Sequence, residues 1–133
     1  MLSSIVFLAL LAAQDAPQTL QRDFRPSVEC AEHLRDDDAR ADCLRDLLDD
    51  GEDALDAALD AARQEADEID ADFPGFANAR SALDTAHAAW ISYRDAECAR
   101  RASLLLMGDG GNDLERDCQI ALTRARTAEL LEN

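Results

Sequence analysis

An apolar side chain recurs every seventh residue at Leu48, Leu55, Ala62 and Ile69, and Leu44, Leu59, Ala66 and Phe73 widen that row into a stripe. A repeat of this kind is the signature of an amphipathic helix with one face to bury. The pattern runs from Ala39 to Phe73 and predicts one long helix. If it kinks or restarts anywhere, it does so at Gly51, with Asp50 as the new cap; a glycine inside a helix costs ~1 kcal/mol relative to Ala. Phe73-Pro74-Gly75 is a stop signal. A second helix is expected over 76–107, with Ala79, Leu83, Ala86, Trp90, Tyr93, Cys98, Ala102 and Leu105 facing inward. Gly108-Asp109-Gly110-Gly111 breaks it, Gly108 suiting a left-handed cap. Asn112 or Asp113 then caps a third helix with the stripe Leu114, Cys118, Ala121, Leu122, Ala125 and Ala128. No stretch shows sustained β-branched alternation, so the expected fold is all-α: a small antiparallel three-helix bundle.

Four cysteines, Cys30, Cys43, Cys98 and Cys118, allow three disulfide pairings. Cys30–Cys43 and Cys98–Cys118 are the most economical, because each closes a short loop around one chain reversal. Each such bridge contributes ~3 kcal/mol in the chain-entropy picture. A zinc site needs thiolates two to four residues apart in at least one pair. Here 12, 54 and 19 residues intervene between successive cysteines. His33 and His87 do not repair that spacing, so neither a metal nor a cofactor is expected.

The disulfides presuppose an oxidising compartment, and the start of the chain agrees. Residues 1–13 carry no charge and are dominated by Leu2, Ile5, Val6, Phe7, Leu8, Leu10 and Leu11. That run is shorter than the ~20 apolar residues a membrane span needs. It closes on Leu11-Ala12-Ala13, a small-residue cleavage signal, although no Lys or Arg precedes it. The expected organisation is a signal peptide over 1–13, a linker over 14–27 and a helical domain over 28–133. A periplasmic or secreted product follows, with no cysteine near the cut for lipid attachment.

Charge narrows the partners. The chain has 29 acidic and 13 basic residues, net −16, and every basic one is Arg. Residues 29–72 hold 18 acidic and 4 basic side chains, whereas residues 76–133 hold 9 and 7. Such a surface repels nucleic acid and anionic membrane and attracts a basic partner. Asp46, Asp49, Asp50 and Asp53 on the first helix are the candidate docking residues, set against the plainer reading of a solvated, solubilising face.

Catalytic constellations are missing from the pattern. Asp95 and Glu97, two apart, face different sides of a helix, unlike carboxylates converging on a sugar bond. Ser81, Ser92 and Ser103 lack a nucleophile elbow. His87 stands alone, and Gly108, Gly110 and Gly111 lack the Lys and strand of a phosphate loop. The expectation is a non-enzyme.

One run is distinctive: Trp90-Ile91-Ser92-Tyr93-Arg94-Asp95-Ala96-Glu97-Cys98, then a Gly-rich turn, Cys118, and Leu122-Thr123-Arg124-Ala125-Arg126. With Cys30 and Cys43 ahead of a long helix, it resembles the LprI-like family of bacterial lysozyme inhibitors over about residues 28–131. The resemblance implies a helical, secreted or envelope-associated protein whose target is a basic lysozyme-type muramidase. Some members are lipoproteins; this chain departs from them in lacking a lipobox cysteine. Within the motif, Trp90 and Tyr93, three apart, are expected in the core. Arg94 is expected to pair with acids beside Asp95 or on the first helix, and Arg126 to do the same from the third. Thr123 is expected to back-bond within its own helix. The leading reading is an inhibitor that captures a cationic lysozyme with its acidic first helix; the alternative is a structural module of the envelope.

Overall fold

The computed structural model describes residues 25–105 and 110–132. They form a 3-10 helix, Pro26–His33, and three α-helices: α1, Asp37–Asp72; α2, Ala79–Ala102; and α3, Gly110–Leu131. No strand occurs among the described residues. The expected leader, most of the linker and the Gly108 cap lie outside them.

The acidic, Ala- and Leu-rich run from Asp37 to Asp72 is one unbroken helix. Its first turn is closed by Asp36, whose carboxylate accepts from the Ala39 N–H at 3.0 Å. Gly51 neither restarts nor interrupts it. The residue is buried against α3, where an added Cβ would lie 3.6 Å from Thr123 Cγ2. Packing against α3 thus overrides its weak helix propensity. At the other end Phe73 N–H still bonds Ile69, Gly75 takes φ 80°, and the N–H groups of Phe76 and Ala77 both reach the Phe73 carbonyl. Only a residue without Cβ adopts that left-handed φ freely. The turn consumes three residues expected in α2, which begins at Ala79 rather than Phe76 and ends at Ala102 rather than Met107.

Cross-helix pairs give the topology. Glu52, Arg63 and Asp67 of α1 meet Arg94, Asp84 and Arg80 of α2, so these helices are antiparallel. Arg40 and Gly51 meet Asp113 and Thr123, so α3 runs parallel to α1. The Cys98–Cys118 bridge and the Arg94–Thr123 hydrogen bond set α3 antiparallel to α2. At 1.5 Å per residue α1 is about 54 Å long and α3 about 33 Å. Extending the Gly51–Thr123 register brings Leu131 level with about Leu59. Beyond that level α1 and α2 continue as a two-helix hairpin.

The buried core is Cys30, Leu44, Leu55, Ala58, Leu59, Ala66, Cys98, Cys118 and Ile120, with Asp117 and Thr123 buried among them. The expected bridges are the ones formed, Cys30–Cys43 fastening the 3-10 helix to α1 and Cys98–Cys118 fastening α2 to α3. The heptad stripe of α1 is inward as far as Ala66, but Ile69 and Phe73 are exposed. On α2, Ala86 and Tyr93 face solvent instead of the core, and Leu105, expected on the same inward face, lies exposed beyond the helix end. On α3 the buried face is rotated: Asp117, Ile120 and Thr123 are covered, while Ala121, Ala125 and Ala128 are exposed.

Candidate functional site

Where three helices meet, Arg94 is the tie. Its side chain is 12 % exposed. The guanidinium donates to Glu52 of α1 at 2.9 Å, to Asp95 at 2.9 Å and to the Thr123 hydroxyl of α3 at 3.2 Å. It also lies over the Trp90 ring at 5.4 Å, and His87 stacks with that ring, the centroids 6.0 Å apart and the planes within 15° of parallel. Fixed planar donors of this kind let one Arg hold two carboxylates, a hydroxyl and a ring at once. Glu52, Leu55, Asp56, His87, Trp90, Ile91 and Arg94 line a small cavity of about 200 Å³. Burial, and then the charges of Arg63 and Arg126, hold the His87 imidazole below its ordinary pKa of 6.5.

The remaining motif residues occupy different surroundings. Trp90 is half-buried, but Tyr93 is 55 % exposed, so only one of the expected aromatic pair contributes to packing. Glu97 accepts from Arg100 and Arg101, the Arg100 bonds first, and those contacts lower its pKa to about 2. Among the described residues Arg126 forms no ion pair with another helix; it pairs with Glu129 at 3.1 Å, one turn along α3. Thr123 does not back-bond: its hydroxyl accepts from Arg94, and it is Thr127 that donates to the Thr123 carbonyl.

Several cross-links had no signal in the apolar pattern. Buried Asp117 accepts from the Ser27 N–H at 2.6 Å, Asp113 pairs with Arg40 at 2.7 Å, and Glu29 takes Arg124 in a two-pronged bond. All three fasten the 3-10 helix or the start of α1 to α3. Asp113 and Asp117 stand four apart on one helical face, the one sequence hint that they act together. A groove of about 550 Å³ opens beside them, with Val28, Leu34, Leu44, Leu105 and Leu114 in its walls.

Asp46, Asp49, Asp50 and Asp53 are all exposed. At 100° per residue they fall within about 100° of one another, on the side of α1 turned away from Leu44, Leu55 and Leu59. None makes an ion pair among the described residues, in contrast to Asp37, Asp42, Asp60 and Asp67, which each hold an Arg. The result is a strip of unneutralised carboxylates along one rigid rod. No group of three or more His, Cys, Asp or Glu among the described residues is arranged to hold a metal ion, and none of the described helices is long and apolar enough to cross a membrane.

The family model described as "Lysozyme inhibitor LprI" matches residues 30–130, from the first cysteine to the end of α3. An uncharacterized protein of Rhizobium meliloti (strain 1021) is 41 % identical over 76 residues, 57 % of this chain. The chain spans about half that relative's length, 52 %. No solved structure matches significantly.

Proposed function

The chain belongs to the LprI lysozyme inhibitor family, and on that premise we propose that it binds a cationic muramidase through the outer face of α1 and occludes its cleft. The observation that carries this reading is the exposed, unpaired row Asp46, Asp49, Asp50 and Asp53. Carboxylates already committed to an intramolecular Arg have little field left for a partner; these four retain theirs. An extended strip of one sign raises the rate of encounter with an oppositely charged protein and is screened beyond ~8 Å at physiological salt. The chain itself performs no chemistry in this reading; it denies substrate to the hydrolase, whose own two carboxylates cleave the sugar bond. Two disulfides fit an oxidising compartment, and the apolar leader supports action in the periplasm or outside the cell.

The test is a muramidase assay with the purified protein at two ionic strengths. Inhibition that weakens steeply with added salt is expected. Reversing Asp49, Asp50 and Asp53 to Lys should slow association while leaving the melting temperature nearly unchanged; an unchanged association rate moves the contact off this face. No inhibition at micromolar protein in dilute buffer leaves the second reading, an envelope interaction module whose acidity serves solubility.

A further inference from the structure

The α1–α2 hairpin ends in Phe73-Pro74-Gly75-Phe76, where Phe76 is 93 % exposed, Phe73 59 % and Ile69 40 %. Three large apolar side chains together at one protruding tip are uncommon on a surface this acidic. The tip is also held in shape. Gly75 sets the reversal, Phe73 accepts from two following N–H groups, and Asp70 receives the Ala79 and Arg80 N–H groups at 2.7 and 3.0 Å. Asp70 thereby caps α2 from the end of α1, a task that Asn78, whose side chain makes no capping bond, leaves undone. Presenting Phe76 consequently requires little further ordering on binding.

We propose that this tip is an apolar anchor that seats in a groove of the basic partner protein, a groove with an apolar floor and a cationic rim. The inference rests on the inhibitor reading above and adds to it a second contact, about 30 Å along α1 from Asp53. The surrounding charge selects the occupant. Glu65, Glu68 and Asp72 are exposed beside the tip and make no ion pair among the described residues, and no basic residue occurs between Arg63 and Arg80. Carboxylates in that position repel an anionic bilayer and a second copy of a chain of net charge −16. They favour a partner whose Lys and Arg side chains ring an apolar slot. The strip then governs how fast the complex forms, and the tip how long it lasts.

The experiment follows binding of the full chain to immobilised egg-white lysozyme in dilute buffer, with Phe76→Ser, Phe76→Leu and the triple reversal of Asp49, Asp50 and Asp53 compared with wild type. Phe76→Ser should dissociate about ten-fold faster or more, as for loss of an aromatic hot spot, with association and melting temperature unchanged; Phe76→Leu should recover most of the lifetime. If wild type inhibits and Phe76→Ser dissociates no faster, the anchor is overturned while the inhibitor reading stands. If wild type does not bind lysozyme at all, both fall. A wild-type chain that sediments as a dimer, or that anionic vesicles retain, with Phe76→Ser abolishing either behaviour, assigns the tip to another occupant and overturns the proposal.

Discussion

Along its length α1 passes between two environments. Its first half lies in a three-helix base with both disulfides, the buried Leu44, Leu55, Leu59 and Ile120, and the Arg94 tie. Its last turns share only the α2 hairpin, where Ala66 is the one buried core residue among those described and the ion pairs Arg63–Asp84 and Arg80–Asp67 form the cross-helix links. The base is covalently stapled and apolar; the arm is held by ion pairs at half-exposed positions. Exposed pairs contribute roughly 0–1 kcal/mol each, whereas a short-loop disulfide contributes ~3 kcal/mol. One continuous helix thus joins a rigid platform to a weakly held extension, an arrangement suited to presenting a tip at a distance.

The largest effect should come from the base. Cys98→Ser opens the α2–α3 staple and should lower stability by ~3 kcal/mol under oxidising conditions; an unaffected thermal melt would break the contrast between base and arm. Next, Arg94→Met removes charge-assisted bonds to Glu52 and to the buried Thr123 hydroxyl together, an expected loss of about 2 kcal/mol by chemical denaturation. Arg94→Lys should not restore it, since an ammonium cannot bridge the same acceptors in a plane. The smallest effect should be Arg80→Ala, which should leave the global melting temperature nearly unchanged because exposed ion pairs contribute little. Its signature should be local: faster amide hydrogen exchange in residues 62–86 than in residues 44–58. Equal acceleration in both stretches would mean that base and arm open as one unit. Acid should act in the same sense. Arg63 first, then Arg80, holds the Asp84 carboxyl below its ordinary 3.8, so that contribution is complete above pH 3.8 and fades as pH falls further.

The base and arm were not equally legible. Apolar periodicity reads a helix whose face is covered throughout, and it located the α1 stripe through Leu44, Leu55, Leu59 and Ala66. It continued the stripe to Ile69 and Phe73, because spacing carries no information about whether a third helix is still alongside. On α3 the contrast between faces is low: alanines occur all round, and the covered positions include Asp117 and Thr123, polar groups whose burial depends on Ser27 and Arg94 arriving from elsewhere. Tyr93 misled for a related reason: it stands three residues from Trp90, yet it is exposed while Trp90 and Arg94 are the residues turned toward the other helices. The acidic strip was readable as composition. Which acids stay unpaired was not, since Asp37, Asp42, Asp60 and Asp67 look the same in sequence as Asp46, Asp49, Asp50 and Asp53.

Sequence alone determined the helices, the reversal at Gly75, the lopsided charge and the family motif, because these depend on local backbone preference and on residue identity. Tertiary structure decided that Gly51 stays helical, that Arg94 gathers Glu52 and Thr123, and that Phe73 and Phe76 stand clear at the end of a two-helix arm. Each of those outcomes is set by the register and relative length of packed helices, and register is a property of the assembled core rather than of any one segment.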